Sequence, residues 1–173
     1  MRLDSGASIP VADAWIRRLG MQPHPEGGYY REVYRAAEEI PAAGLPGRFA
    51  DSRAISTSIY FMLAGDDVSR FHRLRSDELW HHYRGVGVRL HIITAQGTYR
   101  QVLLGVDDDP AACLQVAIEH GSWFGAELVD SQGYALVGCT VAPGFSCEDF
   151  ELAERDELGD LCPAQWALIE RLT

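Results

Sequence analysis

From Tyr29 to Leu152 the chain is cut into short apolar segments by glycine and aspartate clusters, a rhythm that suits an antiparallel all-β fold. Ile55, Thr57, Ile59, Phe61 and Leu63 recur with period two, placing one apolar face on a strand. The aromatic and β-branched run Tyr29–Arg35 reads the same way. Further strand candidates cover 69–74, 78–84, 86–94, 98–104, 111–118, 122–128, 134–141 and 145–152. Breaks fall at Gly65-Asp66-Asp67, Gly97, the stretch from Gly105 to Asp109, and Gly133. Strands this short and this evenly spaced predict a barrel or jelly roll rather than alternating βαβ units.

Helices are expected near both ends. Val11, Trp15 and Leu19 share a helical face before the stop signal Gly20, predicting a helix over residues 11–20 after a loose start at 1–10. Residues 162–172 form a second amphipathic segment, with Pro163 in its first turn. The proline- and glycine-bearing stretch 35–53 reads as a loop free to move. At 173 residues the whole chain, 1–173, is expected to be one domain, with its barrel over 29–152.

A net charge of −10 disfavours nucleic acid and anionic membrane partners, both of which need clustered Lys and Arg. The start of the chain has no apolar run of signal-peptide type, and no stretch approaches membrane-spanning length. Cys113, Cys139, Cys147 and Cys162 form no Cys-x-x-Cys pair and read as reduced thiols, so a cytoplasmic location is expected. Phosphate-binding glycine loops and a Gly-x-Ser-x-Gly elbow are absent from the sequence. The run Asp107-Asp108-Asp109 lacks the spaced ligands of a calcium loop and reads as solvated.

Chemistry concentrates between Ser69 and Gly85. His72 is followed by Asp77-Glu78, then Trp80-His81-His82-Tyr83, with Gly85 closing the segment. Histidine and carboxylate this close on short strands suit a metal site or an acid/base pair. The spacing resembles the first motif of the cupin superfamily, with His72, Glu78 and Gly85 in register and Leu74 where that motif has its second histidine. The second cupin motif, Pro-x-Gly and then a histidine, corresponds to Pro143-Gly144-Phe145, and no histidine follows.

Separate blocks extend the resemblance over most of the chain. They include Pro23-His24-Pro25-Glu26-Gly27-Gly28, Ser56–Leu63, Phe71–Trp80, Gly121–Ala126 and Val137–Phe145. Together they are similar to the branch of small cupins of the Cupin_5 type, catalogued as predicted sugar epimerases. The resemblance implies a mainly β, single-domain double-stranded β-helix with a pocket inside the barrel, and a homodimer.

Strand alternation selects the candidate residues. His72 and Leu74 share one face, and Glu78, Trp80 and His82 another, provided no bulge intervenes. In the acid/base reading, His72 is the base, Glu78 orients it, and His82 or Tyr83 carries a second proton. Glu26, Tyr29 and Arg31 would rim the mouth, with Arg31 clamping an anion and Trp80 contacting substrate. In the metal reading, His72, Glu78 and His82 would hold a divalent ion such as Zn, Ni, Fe or Mn, with Cys147 or Glu148 as substitute ligands.

Three functions stay open. One is an isomerase, epimerase or lyase acting on a small polar, sugar-derived metabolite and requiring no cofactor. The second is a non-catalytic module binding the same small molecule, and the third is a metal-dependent cupin oxygenase.

Overall fold

The computed structural model describes residues 8–105 and 109–173. Most of the expected loose start, and Asp107 and Asp108 of the solvated loop, lie outside those residues. Helix α1 (Ser8–Leu19) ends with Arg17 and Arg18 in its last turn, where cations complement the helix dipole.

The chain then forms β1 (Gln22–Pro23), β2 (Tyr29–Arg35), β3 (Glu39–Ile40) and β4 (Arg53–Ala54). The longer strands β5 (Thr57–Ala64), β6 (Val68–Leu74), β7 (Asp77–Gly85), β8 (Val88–Ile93) and β9 (Tyr99–Leu104) follow. Strands β10 (Gln115–Ile118), β11 (Trp123–Leu128), β12 (Tyr134–Ala142) and β13 (Phe150–Leu152) complete the β-region. Two antiparallel sheets result, in the orders β1-β2-β5-β12-β7-β10 and β13-β6-β11-β8-β9, as a jelly roll requires.

The inner faces of the sheets share a core built on Phe61, Trp80, Leu90, Phe124 and Val137. Trp80 meets Phe61 and Phe124 edge-on, at centroid distances of 5.5 and 6.4 Å. Truncating Phe124 to alanine would cost about 3–5 kcal/mol at such a site. The outer faces are covered separately. Helix α1 packs through Ala12 on Met62 and Leu136 of the larger sheet.

The C-terminal segment covers Phe71, Ile93 and Trp123 of the smaller sheet. It departs from the single helix expected over 162–172. Helix α2 (Arg155–Leu161) precedes it, a 3-10 turn spans Pro163–Gln165, and helix α3 (Trp166–Arg171) completes the chain. Pro163 has no N–H to continue α2 and divides the segment in two.

The stretch 35–53 also departs from a free loop. It carries the small β3–β4 ribbon, buries Phe49 and Arg53, and folds over one end of the barrel.

Two irregularities decide which side chains face inward. The β7–β12 register shifts between Leu136 and Val137, opposite Tyr83, and the β2–β5 register shifts between Glu32 and Tyr34. Each shift breaks the simple alternation along its strand.

Candidate functional site

One end of the barrel interior, beneath the β3–β4 ribbon, encloses a cavity of about 610 Å³. That is the size of a small-molecule site. Its floor comes from β6, β7, β12 and the turn before β2, which contribute His72, Leu74, Glu78, Cys139, His24 and Glu26.

The turn is built by its glycines. Gly27 and Gly28 adopt φ values of +114° and +67°, and a Cβ on Gly27 would lie 2.1 Å from the Val68 carbonyl oxygen. Only glycine brings the backbone this close to β6. The Arg70 amide donates to the Glu26 carbonyl at 2.9 Å and fixes the turn there. Glu26 is therefore buried on the floor of the cavity, not at its rim as the sequence reading places it.

The buried polar centre is a chain of short contacts. Ser69 Oγ donates to Glu26 Oε1 at 2.8 Å, and Glu26 Oε2 faces His72 Nε2 at 3.0 Å. His72 Nδ1 lies 2.7 Å from the Arg70 carbonyl oxygen, so that nitrogen carries the imidazole proton. Burial pulls the His72 pKa down to about 3, with a smaller lowering from His24, and the ring is neutral at neutral pH. A proton must then come from the other side of the 3.0 Å contact. Glu26 supplies it, because burial, reinforced by the nearby Glu78 charge, raises its pKa well above the carboxylate range. Glu26 donates to His72, and His72 is thereby a weak base.

Glu78 behaves differently. Burial raises its pKa from 4.5 to about 7, while the Cys139 thiol and Trp80 indole pull modestly the other way. Neither Glu78 Oε2 nor Trp80 Nε1 has a hydrogen-bond partner of proper geometry, so burial dominates. Glu78 thus holds a buried oxygen with spare hydrogen-bonding capacity. His24, lowered to about 4 by burial, stands edge-on to Tyr30 and Phe61, at 4.7 and 5.8 Å, and completes an aromatic wall.

Several sequence candidates lie elsewhere. His82 falls at the bulge-bearing part of β7, outside the cavity lining, with Nε2 3.0 Å from the Val86 carbonyl oxygen and its ring packed against Gly105. Tyr83 is half-exposed and lies edge-on to Tyr60 over Gly138, on the outer side of its sheet. Trp80 is buried in the core beneath the cavity and does not line it. Tyr29 packs in the cluster under α1, and Arg31 is exposed near Gly20; the inward residues of β2 are Tyr30 and Glu32, and Arg35 beyond the bulge. The pairing of His72 with Glu78 is likewise corrected, since the partner of His72 is Glu26.

The mouth is formed by residues that sequence reasoning left aside. Arg53 is buried and makes a bidentate pair with Asp149, at 2.6 and 2.8 Å. Arg35 makes another with Glu32, at 3.2 and 2.7 Å, and donates to the Phe145 carbonyl at 3.1 Å.

The donors do not fit a three-ligand metal centre. Leu74 lines the cavity at the position where the first cupin motif has its second histidine, no histidine follows Pro143-Gly144, and His82 is outside. No grouping of three or more metal-ligating side chains occurs among the described residues. In the same set, no helix is long and apolar enough to cross a membrane.

Comparison with known proteins follows the fold. The profile of the family described as Cupin superfamily (DUF985), Cupin_5, matches residues 13–153. The solved structure of protein SO0799 from Shewanella oneidensis is 34% identical, with a TM-score of 0.82, covering 94% of this chain and 96% of that one. A hypothetical protein from Leishmania major is 35% identical with the same TM-score, covering 94% and 98%. Oxalate decarboxylase from Bacillus subtilis, at 14% identity and a TM-score of 0.52, covers 87% of this chain and 36% of its own; it shares the fold alone. No curated protein matches.

Proposed function

Since the chain belongs to the Cupin_5 (DUF985) family of the cupin superfamily, we propose that its barrel cavity binds a small polar hydroxy-carbonyl compound and catalyses proton transfer on it, as an isomerase, epimerase or lyase. One observation carries the reading: two buried carboxyls, Glu26 and Glu78, line the same cavity and both are displaced toward the protonated form. Environments that push carboxyls toward neutrality are those that supply acids and bases at pH 7.

The roles follow from the two pKa values. Glu78, at about 7, is ionised in a substantial fraction of molecules at neutral pH and takes the proton from the carbon next to the substrate carbonyl. The electron pair moves onto the carbonyl oxygen, which needs a hydrogen-bond donor there. Protonated Glu26, held by Ser69, becomes that donor when its one O–H turns from His72 Nε2 to the substrate oxygen. Return of the proton from Glu78 to the adjacent carbon gives an isomer, and return to the same carbon after the intermediate has turned its other face to Glu78 gives an epimer. Expulsion of a β-hydroxyl as water, protonated by the Glu78 that took the carbon's proton, gives the lyase product. His72 is a positioning residue. This assignment moves the base from His72 to Glu78 and needs no metal.

The test begins with a thermal-shift screen of aldoses, ketoses and hydroxy acids, followed by proton NMR of the hits in D2O. Enzyme-dependent loss of one C–H signal, abolished in Glu78→Gln while binding persists, is expected. Tight binding with no exchange between about pH 6 and pH 9, a range that brackets the Glu78 pKa, would instead support a non-catalytic binding module.

A further inference from the structure

Of the lining residues described, five are glutamates and two are arginines, yet no carboxylate–arginine contact at the mouth leaves a guanidinium open. Arg53 gives Nε and one terminal nitrogen to Asp149 and donates its other terminal nitrogen to the Ser52 carbonyl at 2.8 Å. Arg35 gives the same two positions to Glu32, and its remaining nitrogen donates to the Phe145 carbonyl. A guanidinium has five N–H donors in a fixed fork; three are engaged in each arginine, among them the side-on edge that binds phosphate or carboxylate bidentately. Glu148 adds a further carboxylate 3.6 Å from Arg53.

The other nitrogen bases of the cavity, His24 and His72, are kept neutral by burial. Among the described residues lining the cavity, each arginine is already paired with a carboxylate. The carboxyls on the floor add repulsion whenever they ionise. The apolar part of the lining is aromatic, with Tyr30, Phe61, Phe145 and Phe150.

From this we infer that the cavity selects uncharged polyhydroxy ligands and rejects phosphorylated, nucleotide-linked or carboxylate-bearing ones, with Glu32 and Asp149 as specificity-determining residues that mask Arg35 and Arg53. This deepens the proposed function, resting on its reading of the cavity as a ligand site. An anion entering the mouth would have to displace Glu32 or Asp149 from its arginine and leave that carboxylate without its partner. An uncharged sugar displaces nothing. Its C–H faces suit the aromatic wall, and its hydroxyls can donate to Glu78 Oε2, which lacks a partner.

Inorganic phosphate and glucose 6-phosphate are the probes, titrated at low salt by calorimetry into the wild-type chain and into Glu32→Gln. Wild-type protein should show no saturable binding below about 10 mM, where ion-pair energies of the exposed type leave no net gain. Glu32→Gln should bind phosphate at least tenfold more tightly than wild type, and Glu32→Gln combined with Arg35→Gln should lose that gain. Asp149→Asn tests the deeper mask, provided circular dichroism shows it folded; Glu32 is exposed enough that its variant stands alone as the test.

Submillimolar phosphate binding by wild type overturns the inference. So does a Glu32→Gln protein with unchanged affinity, or a gain that survives loss of Arg35. None of these outcomes depends on turnover, so failure here is distinct from failure of the proton-transfer reading.

Discussion

Two histidine–glutamate pairs, each with a buried imidazole, sit on opposite faces of the five-stranded sheet, and they do different things. His72 on β6 meets Glu26 at 3.0 Å on the cavity side. His91 on β8 meets Glu127 of β11 at 3.2 Å on the outer side, with Tyr99 Oη 2.9 Å from its other nitrogen. Burial lowers both imidazoles, to about 3 and about 4. The contrast lies in the carboxyls. Glu127 also contacts the guanidinium groups of Arg89 and Arg171, so its charge has cations to face. Glu26 pairs with Ser69 and His72 and lies 3.4 Å from His24 Nδ1. It feels burial and the like charge of Glu78 more than the attraction of Arg70, with which it makes no ion pair. A desolvated carboxyl with a cation stays ionised and locks structure; without one it takes up a proton and can give it away. Residue types alone do not separate a fastener from a proton donor. Their neighbours do.

The largest separation should appear in turnover. Glu78→Gln should lower the rate of proton exchange on a bound substrate by about 10²–10⁴-fold, the usual worth of a positioned base. Glu127→Gln should leave that rate unchanged. NMR exchange rates in D2O, compared for both variants, check this; equal losses would mean that both act through stability.

The next effect is on stability at alkaline pH. Glu78 has a folded pKa of about 7 against an ordinary 4.5, so the unfolded chain loses its proton first as pH rises. The stability tied to this group is complete below pH 4.5 and is lost as pH climbs through 7, by at most about 3 kcal/mol. Denaturant midpoints should therefore fall less for Glu78→Gln than for wild type between about pH 5 and pH 8. A Glu127→Gln curve with the wild-type slope would sharpen the contrast, and one matching Glu78→Gln would break it.

On the acid side the two histidines share a sign and differ in degree. Each is neutral when folded, so its stability is complete above 6.5 and is lost as pH falls toward the folded value, about 3 for His72 and about 4 for His91. His72→Gln should flatten the acid limb more than His91→Gln, by about 1 kcal/mol, one pKa unit's worth. Acid titrations followed by circular dichroism give both slopes side by side.

How much of this was readable from the chain depends on the range of the contact. The strands, the two-sheet fold and the inward positions of His72, Leu74 and Glu78 follow from period-two patterning, which is local. That patterning does not say how far along a strand a site extends. His82 keeps the register of Glu78 and Trp80 but lies four residues, about 13 Å, along β7 from Glu78. Tyr83 faces outward as alternation predicts. In β2 the run Tyr29-Tyr30-Arg31-Glu32 has no apolar face to choose by, so Tyr29 and Arg31 could be exchanged for Tyr30 and Glu32 without any visible cost. Glu26 meets Ser69 across 43 residues, and Arg53 meets Asp149 across 96. Those distances are closed by sheet topology, and nothing local in the sequence announces them. The nearest available signal was Gly27-Gly28, whose positive φ values bring that turn against β6.

The smallest effect concerns the outer pair's own fastening. Arg171, in the last turn of α3, contacts Glu127 and is half-exposed, at 52% of its side-chain surface. Solvent screens such a contact, so Arg171→Ala should cost about 0.5 kcal/mol, well below the worth of a buried pair. In a domain of this size that is a fall of about 1–2 °C in Tm. Because the screening length shrinks to about 3 Å in molar salt, the difference from wild type should largely vanish there. The cavity pair offers the opposite expectation: His72 and Glu26 are joined by a proton between neutral partners, and salt has little to screen. Scanning calorimetry of wild type, Arg171→Ala and His72→Gln at low and molar salt compares them directly. A salt-sensitive His72→Gln penalty would mean that Glu26 is ionised and paired with imidazolium, the arrangement in which Glu26 could not donate to a substrate.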